Sequence, residues 1–164
     1  MKTLILNCQY DTGSNEVISL LNQMNLSAIE HLSIHNYVSG RNKELFKTIS
    51  QFHTPVLRRL YFDPCDTYHG AVYENNFRKI VENCPNLRMV EFGHKFRDSA
   101  NISDEFLLQI FEDRNIFVQF EDQKRQTKWE NFLEPTIAYK RYQEMKINFL
   151  RCREIKVAND EKSL

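Results

Sequence analysis

Short apolar pairs, one residue apart, recur along the chain at a nearly fixed interval. They are Leu4-Ile5-Leu6, Leu32-Ser33-Ile34, Leu60-Tyr61-Phe62, Val90-Glu91-Phe92 and Val118-Gln119-Phe120. Their first members are 28, 28, 30 and 28 residues apart, and a sixth pair, Ile147-Asn148-Phe149, follows 29 residues after the fifth. An apolar pair with period two reads as a short strand with one face buried. Self-similarity at this spacing constrains the fold more than any composition figure. One such unit cannot cover its own apolar face, so units must stack and share a core.

Between the strands the apolar period changes to that of a helix. Val17, Leu20, Leu21 and Met24 share one face, as do Leu45, Ile49 and Phe52. Phe77, Ile80, Val81 and Cys84 form a third set, and Phe106, Leu107, Ile110 and Phe111 a fourth. These are the i, i+3, i+4, i+7 spacings of an amphipathic helix. Ser14, Asn42 and Ser103 stand just before acidic first turns. Short polar side chains there accept bonds from free helix N–H groups. Each unit is therefore a strand, a turn and a helix of about three turns. Strands stack into a parallel sheet and helices line its other side. Helices are the wider elements, so the stack bends into a concave sheet face and a convex helical face.

Two segments carry a known pattern. Leu57-Arg58-Arg59-Leu60-Tyr61-Phe62 fits L-x-x-L-x-L, and Leu87-Arg88-Met89-Val90-Glu91-Phe92 fits it with Val90 and Phe92 substituted. Residues 80–87 end in Cys84-Pro85-Asn86-Leu87, a C-P-x-L at a helix end. On these residues the chain resembles a leucine-rich-repeat protein, and the C-P-x-L resembles the repeat region of F-box leucine-rich-repeat proteins. The resemblance implies an α/β solenoid, a short horseshoe, with about five repeats over residues 1–123. It implies a non-catalytic protein–protein interaction module serving substrate recognition in an SCF-type (F-box) ubiquitin ligase. The chain begins directly in a repeat strand, with no F-box and no amphipathic cap before it. Two alternatives therefore stay open: an assembly element that pairs through its uncapped N-terminal edge, giving an edge-mediated oligomer, or a fragment of a larger leucine-rich-repeat protein.

Residues 124–164 read as a C-terminal repeat with capping helices and a frayed tail. They hold ten Lys or Arg against six Asp or Glu, a net of +4, which leaves −4 for residues 1–123. Thr127-Lys128-Trp129-Glu130 reads as a capping box opening a helix, Pro135 interrupts it or begins a second one, and Met145–Leu150 reads as a sixth strand.

Side chains alternate along a strand, so the neighbours of the inward apolar pairs point to the concave side. The middle column runs Ile5, Ser33, Tyr61, Glu91 and Gln119. Beside it lie His31, Arg59, Met89 and Phe117, and on its other side His35 and Asp63. Arg, Tyr, Met and Phe are enriched at interface cores. The expected partner-binding residues are Arg59, Tyr61, Asp63, Met89, Glu91, Phe117, Gln119, His31 and His35. They form a face for a protein partner, with Met89 and Phe117 exposed on it.

The sequence offers little for catalysis. His31 and His35 share a strand face but lie ~13 Å apart at ~3.3 Å per residue, too far to share one ion. Cys65, Asp66, His69 and His94 could converge on one edge, but none has the tight spacing of a ligand pair. No phosphate-cradling motif is present, and only four glycines exist to build one. The expectation is no enzyme, no cofactor and no metal. Lys plus Arg and Asp plus Glu are both 22, which argues against a nucleic-acid binder. No apolar run reaches the ~18 residues of a membrane span. Cys8, Cys65, Cys84 and Cys152 form no CxxC pair and read as buried free thiols of a cytoplasmic or nuclear protein.

Overall fold

The computed structural model describes residues 3–8, 13–24, 26–36, 47–51, 53–64, 73–94 and 102–161. The elements in order are β1 (Thr3–Cys8), α1 (Gly13–Gln23), a 3-10 turn (Leu26–Ala28), β2 (His31–Asn36), β3 (Arg59–Pro64), α2 (Tyr73–Asn83) and β4 (Met89–Phe92). Then come α3 (Asp104–Arg114), β5 (Phe117–Phe120), α4 (Gln123–Leu133) and α5 (Ala138–Glu161). Residues 47–50, between β2 and β3, are also helical. Leu45 and Phe52 of the second apolar set, and Asn42 before it, lie outside the described residues.

The five strands form one sheet in the order β1-β2-β3-β4-β5, and every neighbouring pair is parallel. The register matches the sequence interval: Leu4, Leu32, Leu60, Val90 and Val118 are partners across successive strands. Leu6, Ile34, Phe62, Phe92 and Phe120 form a second ladder two residues on. Both ladders are buried. A one-residue slip would turn them to the opposite face, so the core itself fixes the register. The same backbone bond recurs at each step: Arg59 N–H donates to Glu30 O (3.1 Å), Met89 N–H to Arg58 O (3.1 Å) and Phe117 N–H to Arg88 O (2.8 Å).

Aromatic residues fill the space between sheet and helices. Phe92 stacks on Phe120 at 5.2 Å, and Phe77 of α2 meets Phe92 edge-on at 5.7 Å and Phe106 of α3 at 5.9 Å. Among the described side chains of the helical sets, Leu20 of α1 is the exposed one, and Leu21 beside it is buried. The Cys84 segment ties neighbouring turns together. Asn83 Nδ2 donates to Ser50 O (2.8 Å), Asn86 Nδ2 donates to Pro55 O (2.5 Å), and Cys84 Sγ lies 3.4 Å from Thr54 Oγ1. Burial pushes the Cys84 thiol up, and the bond to Thr54 opposes that.

α3 starts where Ser103 marks it, with the Ser103 hydroxyl accepting from Phe106 N–H at 3.2 Å. It ends at Asn115, a residue with φ 55 whose N–H donates to Phe111 O. α4 departs from expectation. Its N-cap is Asp122, which accepts from Arg125 N–H at 2.8 Å, so the helix opens before the Thr127–Glu130 box. Asp122, two residues after β5, reaches the free N–H groups first. Thr127 is then inside the helix, its hydroxyl donating to Gln123 O. Pro135 falls after the end of α4, as expected.

The sixth strand does not form. Residues 145–150 belong to the 24-residue helix α5. Tyr142, Met145 and Phe149 follow i, i+3, i+7 and pack on the core, whereas Ile147 and Leu150 are exposed. The helical period thus overrides the coincidental Ile147/Phe149 pair. Among the described residues no helix is long and apolar enough to cross a membrane.

Candidate functional site

The sheet face away from the buried ladders carries the candidate site, and α5 divides it. Tyr142 is fully buried, stacks on Phe117 at 5.1 Å and donates its hydroxyl to Val118 O at 3.3 Å. Seven residues later Phe149 meets Phe117 at 5.8 Å and lies under the Arg59 guanidinium at 5.6 Å. Cys152 then reaches the neighbourhood of His31. Ten residues of helix advance ~15 Å, and three inter-strand steps cover ~14 Å. α5 therefore runs across the strands, from β5 toward β2.

This crossing corrects the expected surface. Met89 and Phe117 are 7% and 3% exposed and face the chain's own helix, not solvent. These two residues are apolar because they make a second internal contact. Arg59 is half-buried against Phe149. Cys152 is exposed, contrary to the reading of all four cysteines as buried. Tyr142, Phe149 and Cys152 were missed as parts of this region. The signal was there in the helical spacing of 142, 145 and 149.

The rest of the face stays partly open. Ile5 is 60% exposed, and Ser33, Tyr61, Glu91 and Gln119 are intermediate. A groove of about 260 Å³ lies where α5 meets this column. Its lining includes His31, Arg59, Tyr61, Met89, Glu91 and Phe149. The register sets these side by side, with Arg59 opposite Met89 and Tyr61 opposite Glu91.

Tyr61 is the hub of the polar half. Its hydroxyl donates to Glu121 Oε2 at 3.1 Å, and its ring lies 4.7 Å from the His35 ring. Partial burial raises the phenol's pKa above its ordinary value, and the charges of Asp63, Glu121 and Glu91 push it the same way. Of these carboxylates, Glu121 bonds the hydroxyl directly. His94 Nε2 stands 3.7 Å from Glu121 Oε2.

Asp63 is buried, and the chain makes room for it. A Cβ on Gly93 would sit 2.3 Å from Asp63 Cγ, so a side chain there cannot be accommodated without movement. Gly93→Ala should destabilise the protein by about 1–3 kcal/mol through overpacking. A Cβ on Gly93 would also lie 2.4 Å from Asp63 Cβ, so the double variant Gly93→Ala/Asp63→Gly, which removes both clashing atoms, should recover part of this, and urea melts of the two would show it.

Ser33 Oγ lies 3.0 Å from His35 Nε2, within reach of a nucleophile–base pair. Acyl transfer also needs an orienting group behind the imidazole and donors for an oxyanion. The described contacts of His35 are the Ser33 hydroxyl and the Tyr61 ring, an arrangement that packs the imidazole. Among the described residues no three His, Cys, Asp or Glu are placed to hold a metal. Cys65, Asp66 and His69 lie outside the described residues. No protein-family model, curated protein or solved structure matches the chain.

Proposed function

We propose that the chain is a non-catalytic protein-binding module of leucine-rich-repeat type. In this reading the parallel strands line the concave side of a short horseshoe, the helices line the convex side, and the open part of the sheet face docks a protein. The observation that carries it is the in-register column Ile5, Ser33, Tyr61, Glu91 and Gln119, presented partly open beside a groove. A rigid sheet with a groove and an aromatic anchor is the form of an interface hot spot. Cys84 and Cys152 are free thiols, which fits a reducing cytoplasm or nucleus. By its C-P-x-L resemblance, the role is substrate recognition for an F-box-type ubiquitin ligase.

Affinity capture from cell lysate tests this. Wild type should retain specific proteins that Tyr61→Ala loses and that Lys79→Ala, changed on the exposed side of α2, keeps. Retention of every specific protein by Tyr61→Ala would sink the reading.

A second reading has its own observation. β1 stands at one edge of the sheet and carries Ile5, the most exposed apolar side chain of the column. Open strand edges pair with other strands. Light scattering separates the two readings, because edge pairing requires an oligomer whose mass grows with concentration.

A further inference from the structure

We infer that the open half of the sheet face docks a cationic segment of a partner protein, with an Arg or Lys side chain entering the groove between Tyr61 and α5. The inference rests on the reading of this face as a protein-binding surface and adds the partner's chemistry. It is carried by what the face can donate and accept. Glu91, which lines the groove, and Glu121, which accepts from the Tyr61 hydroxyl, are acceptors when ionised. Gln119, beside Glu91 in register, adds a buried Oε1 that has no hydrogen-bond donor among the described residues. The Tyr61 hydroxyl, a donor at the centre, is already committed to Glu121. Such a surface is complemented by a donor-rich, positively charged group. Arg carries five N–H donors and Lys three, and neither accepts.

The groove suits the rest of such a side chain. Met89 and Phe149 offer an apolar floor for methylene groups, and Tyr61 offers a ring face for a cation. Arg59, which lines the same groove, is held over the Phe149 ring. Charge distribution agrees. The repeats over 1–123 carry −4. The half of the face that is already covered is covered by α5, which belongs to the +4 segment 124–164.

The test uses the full chain and three fluorescein-labelled peptides, of alternating Arg and Gly, Glu and Gly, and Ser and Gly. Fluorescence anisotropy at low salt should show binding of the Arg peptide at least about tenfold tighter than of the other two, weakening as salt rises. Glu91→Gln/Glu121→Gln should weaken it by about tenfold or more. Glu82→Gln/Glu112→Gln removes the same charge from exposed positions on α2 and α3 and should leave binding within about twofold. Equal binding of the Arg and Glu peptides by wild type overturns the inference, and so does an equal loss in the two double variants. Random-peptide display separates this failure from failure of the broader reading. Selected ligands that depend on Tyr61 but share no Arg or Lys leave the docking face standing and overturn the cationic assignment. Selected ligands with no dependence on Tyr61 overturn both.

Discussion

Phe92→Ala should lower the unfolding free energy by about 3–5 kcal/mol, the usual range for losing a fully buried aromatic ring. Phe92 is 0% exposed in the second buried ladder, between Phe62 and Phe120. Its ring stacks on Phe120 and takes the edge of Phe77, so its removal leaves a cavity bounded by strand and helix together. The rigid ladder on either side limits how far the site can collapse, which places the cost toward the upper part of the range. Lys79→Ala on the exposed side of α2 should stay within about 0.5 kcal/mol. Urea melts of both variants check this, and comparable losses in the two would contradict the inward placement of Phe92.

Tyr142→Ala should cost a similar amount, about 3–5 kcal/mol, for a different reason. Tyr142 is where α5 attaches to the sheet: its ring stacks on Phe117 and meets Phe111 and Trp129 edge-on. Its hydroxyl accepts from Gln126 Nε2 and donates to Val118 O. Tyr142→Phe keeps the ring and strands those two partners, at about 1–3 kcal/mol. The pair of variants separates packing from hydrogen bonding.

Alkaline pH gives a further reading of the same residue. Burial raises the Tyr142 phenol above its ordinary pKa, and the nearby Glu130 charge adds to this. A tyrosine in the unfolded chain ionises near 10, before the folded one does. Above that pH the unfolded state binds fewer protons, so stability is intact below about 10 and falls above it. The slope contributed by Tyr142 is about 1.4 kcal/mol per pH unit. Tyr142→Phe should flatten the decline between pH 10 and about 11 without abolishing it, because Tyr61 shifts in the same direction.

The repeat was legible because it depends on residues that must be apolar wherever the unit recurs. Leu32, Leu60 and Val90 lie on adjacent rungs as their interval requires. The Ser103 cap was legible because its signal is local. After residue 124 helices were legible, but the start of the first and the absence of a sixth strand were not, and the reasons are physical. Thr127-x-x-Glu130 satisfies a capping pattern, but Asp122 is placed closer to the helix start and takes the role. Ile147 and Phe149 imitate a strand pair, yet burial selects Tyr142, Met145 and Phe149 along one helical face. The site suffered from the same error. Alternation along the strands correctly put Met89 and Phe117 on the sheet's second face, but the chain's own helix covers them there. Strand periodicity tells which side of a sheet a residue takes. It does not tell what later segment returns to lie on that side.

The path of α5 changes how the stack comes apart. An array held only by neighbour-to-neighbour contacts can unzip from either end. Here Phe149 fastens to Arg59 of β3 while Tyr142 fastens to Phe117 of β5, so a single rod clamps the later rungs. Fraying becomes one-sided. It starts at β1, where nothing described crosses Ile5, and must work inward before the clamped block yields as one cooperative piece.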